Sequence, residues 1–266
     1  MTPWLELCRS CARDIEAVLA RLPTRAEREP VLRRGEGGDD TTAIDQAAED
    51  AVVARLESSG ESFVLVSEEL GTRVFGTGGT RVVVVDPIDG SVNAKRGIPF
   101  FSFSLAVADG PVMGDVAFGY VYDFGTAEEW TATLGEGAFL NGTRLAPVEP
   151  KERIEILSFE GTTTQAIAER STAVTAVADR LRVMGSLALS LCHLAAGRVD
   201  AVCSLKPARS VDIAAAQLLV RECGLAIELF EDPPLAGAPL DLVPRSRLAA
   251  AATPEQLDSL ARVLSD

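Results

Sequence analysis

Histidine is almost missing from this chain: His193 is the single one in 266 residues. Chemistry built on several imidazoles, a histidine-rich metal centre or a histidine-activated nucleophile, is therefore excluded. His193 itself lies in the apolar run from Leu187 to Ala196 and reads as a packed core residue. Positive charge is also scarce. The 25 Lys and Arg face 39 Asp and Glu, and the net charge of −14 is a poor footing for nucleic acid or an anionic membrane. No segment reaches the roughly 20 apolar residues of a membrane span. The opening Met1-Thr2-Pro3-Trp4-Leu5-Glu6 has neither a basic start nor an unbroken apolar stretch, so no secretory signal is expected. Five cysteines, an odd number, fit a reduced, cytoplasmic protein. Cys8 and Cys11 share a helical apolar pattern with Leu7, Ile15, Val18, Leu19 and Leu22, and no second pair follows. Core or interface packing is the better reading of them than metal or redox work.

What is present is enough apolar residue, 47%, to bury a large core as one domain or two small ones. A helix is expected from about Thr2 to Arg21, then a Gly/Asp-rich segment over 33–40, then a helix from Ala43 to Leu56. Strands follow at 62–66, 81–85, 101–108, 112–121, 127–133 and 138–140. After residue 154 strands (154–159, 181–184, 199–204, 225–229, 248–252) alternate with helices (163–178, 186–196, 211–223, 254–264). Meander first and alternation second suggest an α+β subdomain over 1–150 and an α/β subdomain over 151–266, without a flexible linker. The pattern alone gives only mixed α and β.

The densest stretch is Asp86-Pro87-Ile88-Asp89-Gly90-Ser91-Val92-Asn93. Four valines, Val82 to Val85, lead into it as a buried strand, so Asp86 stands at a strand end, where open α/β sheets present ligand-binding groups. Pro87 is expected to stop the strand and turn Asp89 back towards Asp86. Gly90 lets the backbone approach a ligand, and Ser91 reads as the N-cap of a helical turn whose free amides favour a phosphate. Two carboxylates, a free carbonyl and an anion nest side by side suggest hard divalent cations bridging to a phosphoryl group.

This stretch resembles the signature of the inositol monophosphatase superfamily, the magnesium-dependent sugar phosphatases. Other motifs follow in the same order. Ser67-Glu68-Glu69 comes after the apolar run Phe63 to Val66, and Asp45 lies in Thr41-Thr42-Ala43-Ile44-Asp45. Met184-Gly185-Ser186 resembles the helix start that precedes the second signature, here Ser210-Val211-Asp212-Ile213-Ala214, with Val211 where a Trp is common. The Gly97 to Phe101 and Lys206 to Asp212 stretches look most like the archaeal-type fructose-1,6-bisphosphatase/inositol-1-phosphatase branch.

The resemblance implies a layered αβαβα fold, a phosphomonoesterase activity on small sugar or polyol phosphates, and two magnesium ions. It would place Glu68, Asp86 and the Ile88 carbonyl on the first ion, and Asp86, Asp89 and Asp212 on the second. Asp45 and Ser91, the latter where Thr is usual, would orient the attacking water. Gly90, Ser91, Gly185 and Ser186 would meet the phosphate. The 33–40 segment is either a plain surface loop or a mobile one bringing Asp39 or Asp40 to a third, weaker ion. Glu69 is either a solvated acid or a support for its neighbours. Where animal-type relatives carry a glutamate for an inositol hydroxyl, this chain has Leu205-Lys206-Pro207-Ala208-Arg209. Those cations either lie along the surface or attract a second phosphate, with Arg209 the natural contact. The acidic excess suits anionic substrates only if bound metal inverts the local field. A homodimer is expected, with the 112–121 strand as interface. A 3′-phosphonucleotide phosphatase and an assembly subunit are the alternatives.

Overall fold

The computed structural model describes residues 3–161, 163–243 and 246–265, so the Thr2 start expected for the first helix lies outside them. Helix α1 (Pro3–Arg21) buries Cys8, Cys11, Ala12, Ile15 and Val18 on one stripe. After the single turn α2 (Arg25–Arg28), β1 (Val31–Arg34) and β2 (Asp40–Thr42) form a small antiparallel hairpin. The segment expected over 33–40 as a plain or a mobile loop is thus the end of β1, the hairpin's turn and the start of β2. β1 is exposed along its whole length, so no apolar alternation marks it. Next come α3 (Ala43–Ser58), β3 (Phe63–Ser67), β4 (Gly71–Phe75), β5 (Val82–Asp89) and α4 (Ser91–Arg96). Then β6 (Ser102–Ala108), β7 (Val116–Asp123), β8 (Glu128–Thr133), β9 (Gly137–Leu140) and β10 (Thr143–Arg144) run as a meander. These strands make one eight-stranded sheet, ordered β10-β9-β8-β7-β6-β5-β3-β4.

The second half contains β11 (Ile154–Glu160), α5 (Thr164–Glu169), α6 (Ser171–Val177), β12 (Ala178–Arg182), α7 (Leu187–Ala195) and β13 (Ala201–Ala208). It ends with α8 (Ser210–Glu222), β14 (Ala226–Leu229), β15 (Ser246–Ala251) and α9 (Pro254–Ser265). Its five strands are ordered β12-β11-β13-β15-β14. The helix expected over 163–178 is broken at Arg170, which leaves helical geometry and donates from Nε to the Val263 carbonyl.

The layers follow from which side chains each sheet face buries. Val83 and Val85 point towards α1 and α3, while Val82 and Val84 join the core that holds α7 and α8. That central helix pair also packs against the five-stranded sheet, whose outer face is covered by α6 and α9. The result is the αβαβα stack. The apolar side chains expected to form an interface on the 112–121 strand do not lie at the surface: Met113, Val116, Phe118, Tyr120 and Val121 are buried in the chain's own core. The strand also starts later than expected, because Met113–Asp115 form a 3-10 turn.

One local irregularity positions the site. β5 does not stop at Pro87; it runs to Asp89 with a bulge, Asp86 pairing with Ser104 and Asp89 with Ser102. Three steps on β5 thus match two on β6. In a regular strand Asp86 and Asp89, an odd number of residues apart, would face opposite sides. The extra residue brings both to the same side, and a bulge is where a strand tolerates proline.

Candidate active site

A cavity of about 390 Å³ opens where the ends of β3 and β5 meet the start of α8. It is lined by eight carboxylates, those of Asp39, Asp40, Asp45, Glu68, Glu69, Asp86, Asp89 and Asp212, against three cations, Lys95, Lys206 and Arg209. Ile88, Gly90, Ser91, Val92 and Gly185 complete its wall. Glu68 stands in the turn directly after β3. Asp86 is held by the Ile88 amide, which donates to its Oδ1 at 2.9 Å. Asp89 reaches into the other half: its Oδ2 accepts from the Ser186 hydroxyl at 2.5 Å and the Ala188 amide at 2.8 Å, so it caps α7 together with Ser186.

Asp212 occupies the third position of α8, accepting from the Arg209 amide at 2.7 Å. Arg209 turns inward. Its Nη2 lies 2.6 Å from Glu68 Oε1 and 3.0 Å from Asp212 Oδ1, and its Nη1 is 3.6 Å from Asp39. The residue is buried, whereas Lys206 beside it stays in solvent, 3.5 Å from Asp39. The 35–40 loop lies over this group, with the Gly37 amide donating to the Glu68 carbonyl at 2.9 Å.

Asp45 sits at the start of α3, where its Oδ2 accepts from the Thr42 amide and hydroxyl at 2.9 and 2.6 Å. Its Oδ1 is buried without a hydrogen-bond partner. Gly90, at φ 93°, is the N-cap of α4, and Ser91, expected in that place, is the first helical residue. A Cβ on Gly90 would come within 3.1 Å of the Gly185 carbonyl, so the two glycines let the halves meet. Ser91 Oγ donates to the Ile88 carbonyl at 3.0 Å, and no hydrogen bond joins it to Asp45 among the described residues.

Burial dominates the electrostatics. It raises Asp86 well above the carboxylate range, pushes Glu68 up to about 8 despite Arg209, and pushes Asp89 up to about 7 despite the bonds from Ser186 and Ala188. Burial works against the Arg209 charge too, but Asp212 and Glu68 more than offset it. The cavity is therefore short of positive charge, which fits a hard divalent cation held by oxygen ligands.

Residues 5–266 match the inositol monophosphatase family. The chain belongs to it. A fructose-1,6-bisphosphatase/inositol-1-monophosphatase of Methanothermobacter thermautotrophicus is 34% identical over 234 residues, covering 83% of this chain and 82% of that protein. A Nus factor SuhB of Pasteurella multocida is 35% identical over 233 residues, 84% of each chain. The crystal structure of an inositol monophosphatase-fructose 1,6 bisphosphatase superposes with a TM-score of 0.85 at 28% identity, covering 99% of this chain and 100% of that one. As a member of this inositol monophosphatase family the chain is a phosphatase of a metal-dependent class.

One acid of this family member escaped the sequence reading, and a second is decided between its two readings. Glu160, at the end of β11, is buried and accepts from the Met184 and Gly185 amides at 3.0 and 2.8 Å, which sets the 184–186 turn against Asp89. Its strand-end position, the same as that of Asp86, was the available signal. Glu69 is buried and bonded to the Thr41 hydroxyl, so it supports the site rather than facing solvent. Outside the cavity, Asp123, Glu128 and His193 bring ligand atoms within 4.8 Å of one another, the single such group among the described residues.

Proposed function

We propose that this chain is a magnesium-dependent phosphomonoesterase of small phosphorylated sugars or polyols, acting on inositol 1-phosphate and fructose 1,6-bisphosphate. The observation that carries the reading is the surplus of buried carboxylate over cation at one cavity. Glu68, Asp86 and the Ile88 carbonyl would hold one ion, and Asp86, Asp89 and Asp212 a second; Asp39 or Asp40 would serve a weaker third. Bound magnesium supplies an acidified water and neutralises the phosphate ester.

The protein's own groups do the rest. Ser91 orients the water through its hydroxyl while Asp45 accepts the hydroxyl proton, which gives the unpartnered Asp45 Oδ1 its work. For this the Ser91 proton turns away from Ile88. Gly90, Ser91, Gly185 and Ser186 receive the phosphate at the approach of the two halves, and Arg209 and Lys206 favour a second phosphate. The segments 1–150 and 151–266 act as subdomains that contribute acids to one centre. All five cysteines are free, in keeping with a cytoplasmic protein, and the family's habit supports a homodimer. No aromatic side chain among the described residues lines the cavity or its neighbour, which disfavours an adenine-bearing substrate. Acids at every expected place favour turnover over a purely assembling role.

The test is phosphate release from inositol 1-phosphate and fructose 1,6-bisphosphate by purified protein, with millimolar magnesium or with chelator. Magnesium-dependent release from both is expected. Release unaffected by chelator, or none from either substrate, overturns the proposal.

A further inference from the structure

Arg209 does more in this structure than line a phosphate pocket. Its guanidinium lies between Glu68 and Asp212, which come from different halves of the chain, with Nη2 at 2.6 and 3.0 Å from their oxygens and Nε 3.4 Å from Asp212 Oδ2. On its other side Nη1 donates to the Gly37 carbonyl at 3.3 Å and faces Asp39 at 3.6 Å. Only 9% of the side chain is exposed, because the loop closes over it. A Cβ placed on Gly37 would come within 2.6 Å of Nη1, so the absence of a side chain there is what admits the guanidinium.

We propose that Arg209 is a built-in counterion to Glu68 and Asp212, one ligand of each proposed ion, and that divalent ions must displace it, freeing the 35–40 loop. This rests on the proposed function only in taking those acids as ion ligands. A guanidinium at these distances and divalent cations held by Glu68 and by Asp212 repel each other strongly in a partly desolvated site, so the two occupancies exclude one another. Arg209 has somewhere to go. It also lines a second, adjoining cavity of about 390 Å³, together with Val92, Glu160, Gly185 and Lys206. Ion binding therefore delivers the guanidinium to the place where a phosphate needs it. The loop, tied through Gly37 and Asp39, loses that anchor at the same moment. A plain structural ion pair between α8 and β3 would give neither consequence.

Magnesium binding to the purified full chain, measured by calorimetry without substrate, separates the two. Arg209→Gln removes the counterion and should bind magnesium about tenfold more tightly than the unaltered chain. Gly37→Ala keeps the charge but pushes the guanidinium out, and should tighten binding in the same direction; it carries the test if Arg209→Gln does not fold. Hydrogen exchange of residues 35–40 should quicken in the unaltered chain when magnesium is added, and be fast in Arg209→Gln without it. Equal or weaker magnesium binding by both variants, or loop exchange indifferent to magnesium, overturns the proposal. No magnesium uptake by any of the three proteins overturns the proposed function, and this inference with it.

Discussion

Two acidic clusters in this chain each hold an arginine, and they differ in what the arginine leaves over. At Asp123, Glu128 and His193, Arg198 meets both oxygens of Glu128 at 2.6 Å, and that hydrogen bonding draws Glu128 below its ordinary pKa. Asp123 is satisfied by the Gly125 amide and the Thr126 hydroxyl at 2.7 and 2.8 Å. In the cavity, Arg209 reaches Glu68 and Asp212, yet burial still holds Glu68, Asp86 and Asp89 well above the carboxylate range. The compact cluster has the closer ligand spacing, and both of its carboxylates are already satisfied. The wider one has the deficit. Spacing alone therefore misleads, because a carboxylate already neutralised by a well-placed guanidinium offers little to an ion.

The largest consequence concerns turnover. Asp86→Asn or Asp212→Asn should lower kcat/KM by about 10³-fold or more while the protein stays folded, since each removes a proposed ion ligand and relieves like-charge crowding. Glu128→Gln should leave turnover within about twofold. Normal activity in either cavity variant at millimolar magnesium, or comparable losses at both clusters, would break the distinction.

A smaller effect is expected at Ser91. Ser91→Ala should reduce kcat by about 10²-fold with little change in KM, and Ser91→Thr should remain active, because orienting a nucleophile matters mainly in the transition state. A change confined to KM would make Ser91 a substrate contact.

The smallest effects are on stability, and they differ in sign. Burial pushes Glu49, bonded to Ser67 beside the cavity, up to about 7. Its raised folded value means that its stabilising effect is complete below its unfolded pKa and is lost as pH rises through about 7. Glu49→Gln cannot ionise, so it should raise the melting temperature by roughly a few degrees at pH 8 and hardly at pH 4.5. Glu128, with a lowered pKa, stabilises above its unfolded value, so Glu128→Gln should lower the melting temperature at pH 8. Thermal unfolding at the two pH values decides; shifts of equal sign at both sites would show that packing, not charge, governs them.

Much of this arrangement was legible in the chain, for physical reasons. Four consecutive valines can only be a strand buried on both faces, and Asp-Pro-Ile-Asp-Gly-Ser at its end fixed the cavity. The bulge was not legible, since it depends on register against β6. β4 was missed because the three residues between Gly71 and Phe75 are exposed, as suits an edge strand. Arg209 read as a phosphate contact because nothing in the sequence places it against Glu68, 141 residues away. Glu160 was passed over for the same reason: its partners, Met184 and Gly185, are set by tertiary contact.

Asp89 belongs to the large sheet yet caps a helix of the other half, 97 residues from Ser186 in the chain. An ion held by Asp89, Asp86 and Asp212 consequently finds its ligands assembled only after the two halves have docked. Such an ion binds the native chain and not the unfolded one, so it lengthens the life of the whole molecule by mass action. Metal supply would then govern abundance as well as turnover: without the proposed ion the chain would be lost to proteolysis, through the same residues proposed to hold it.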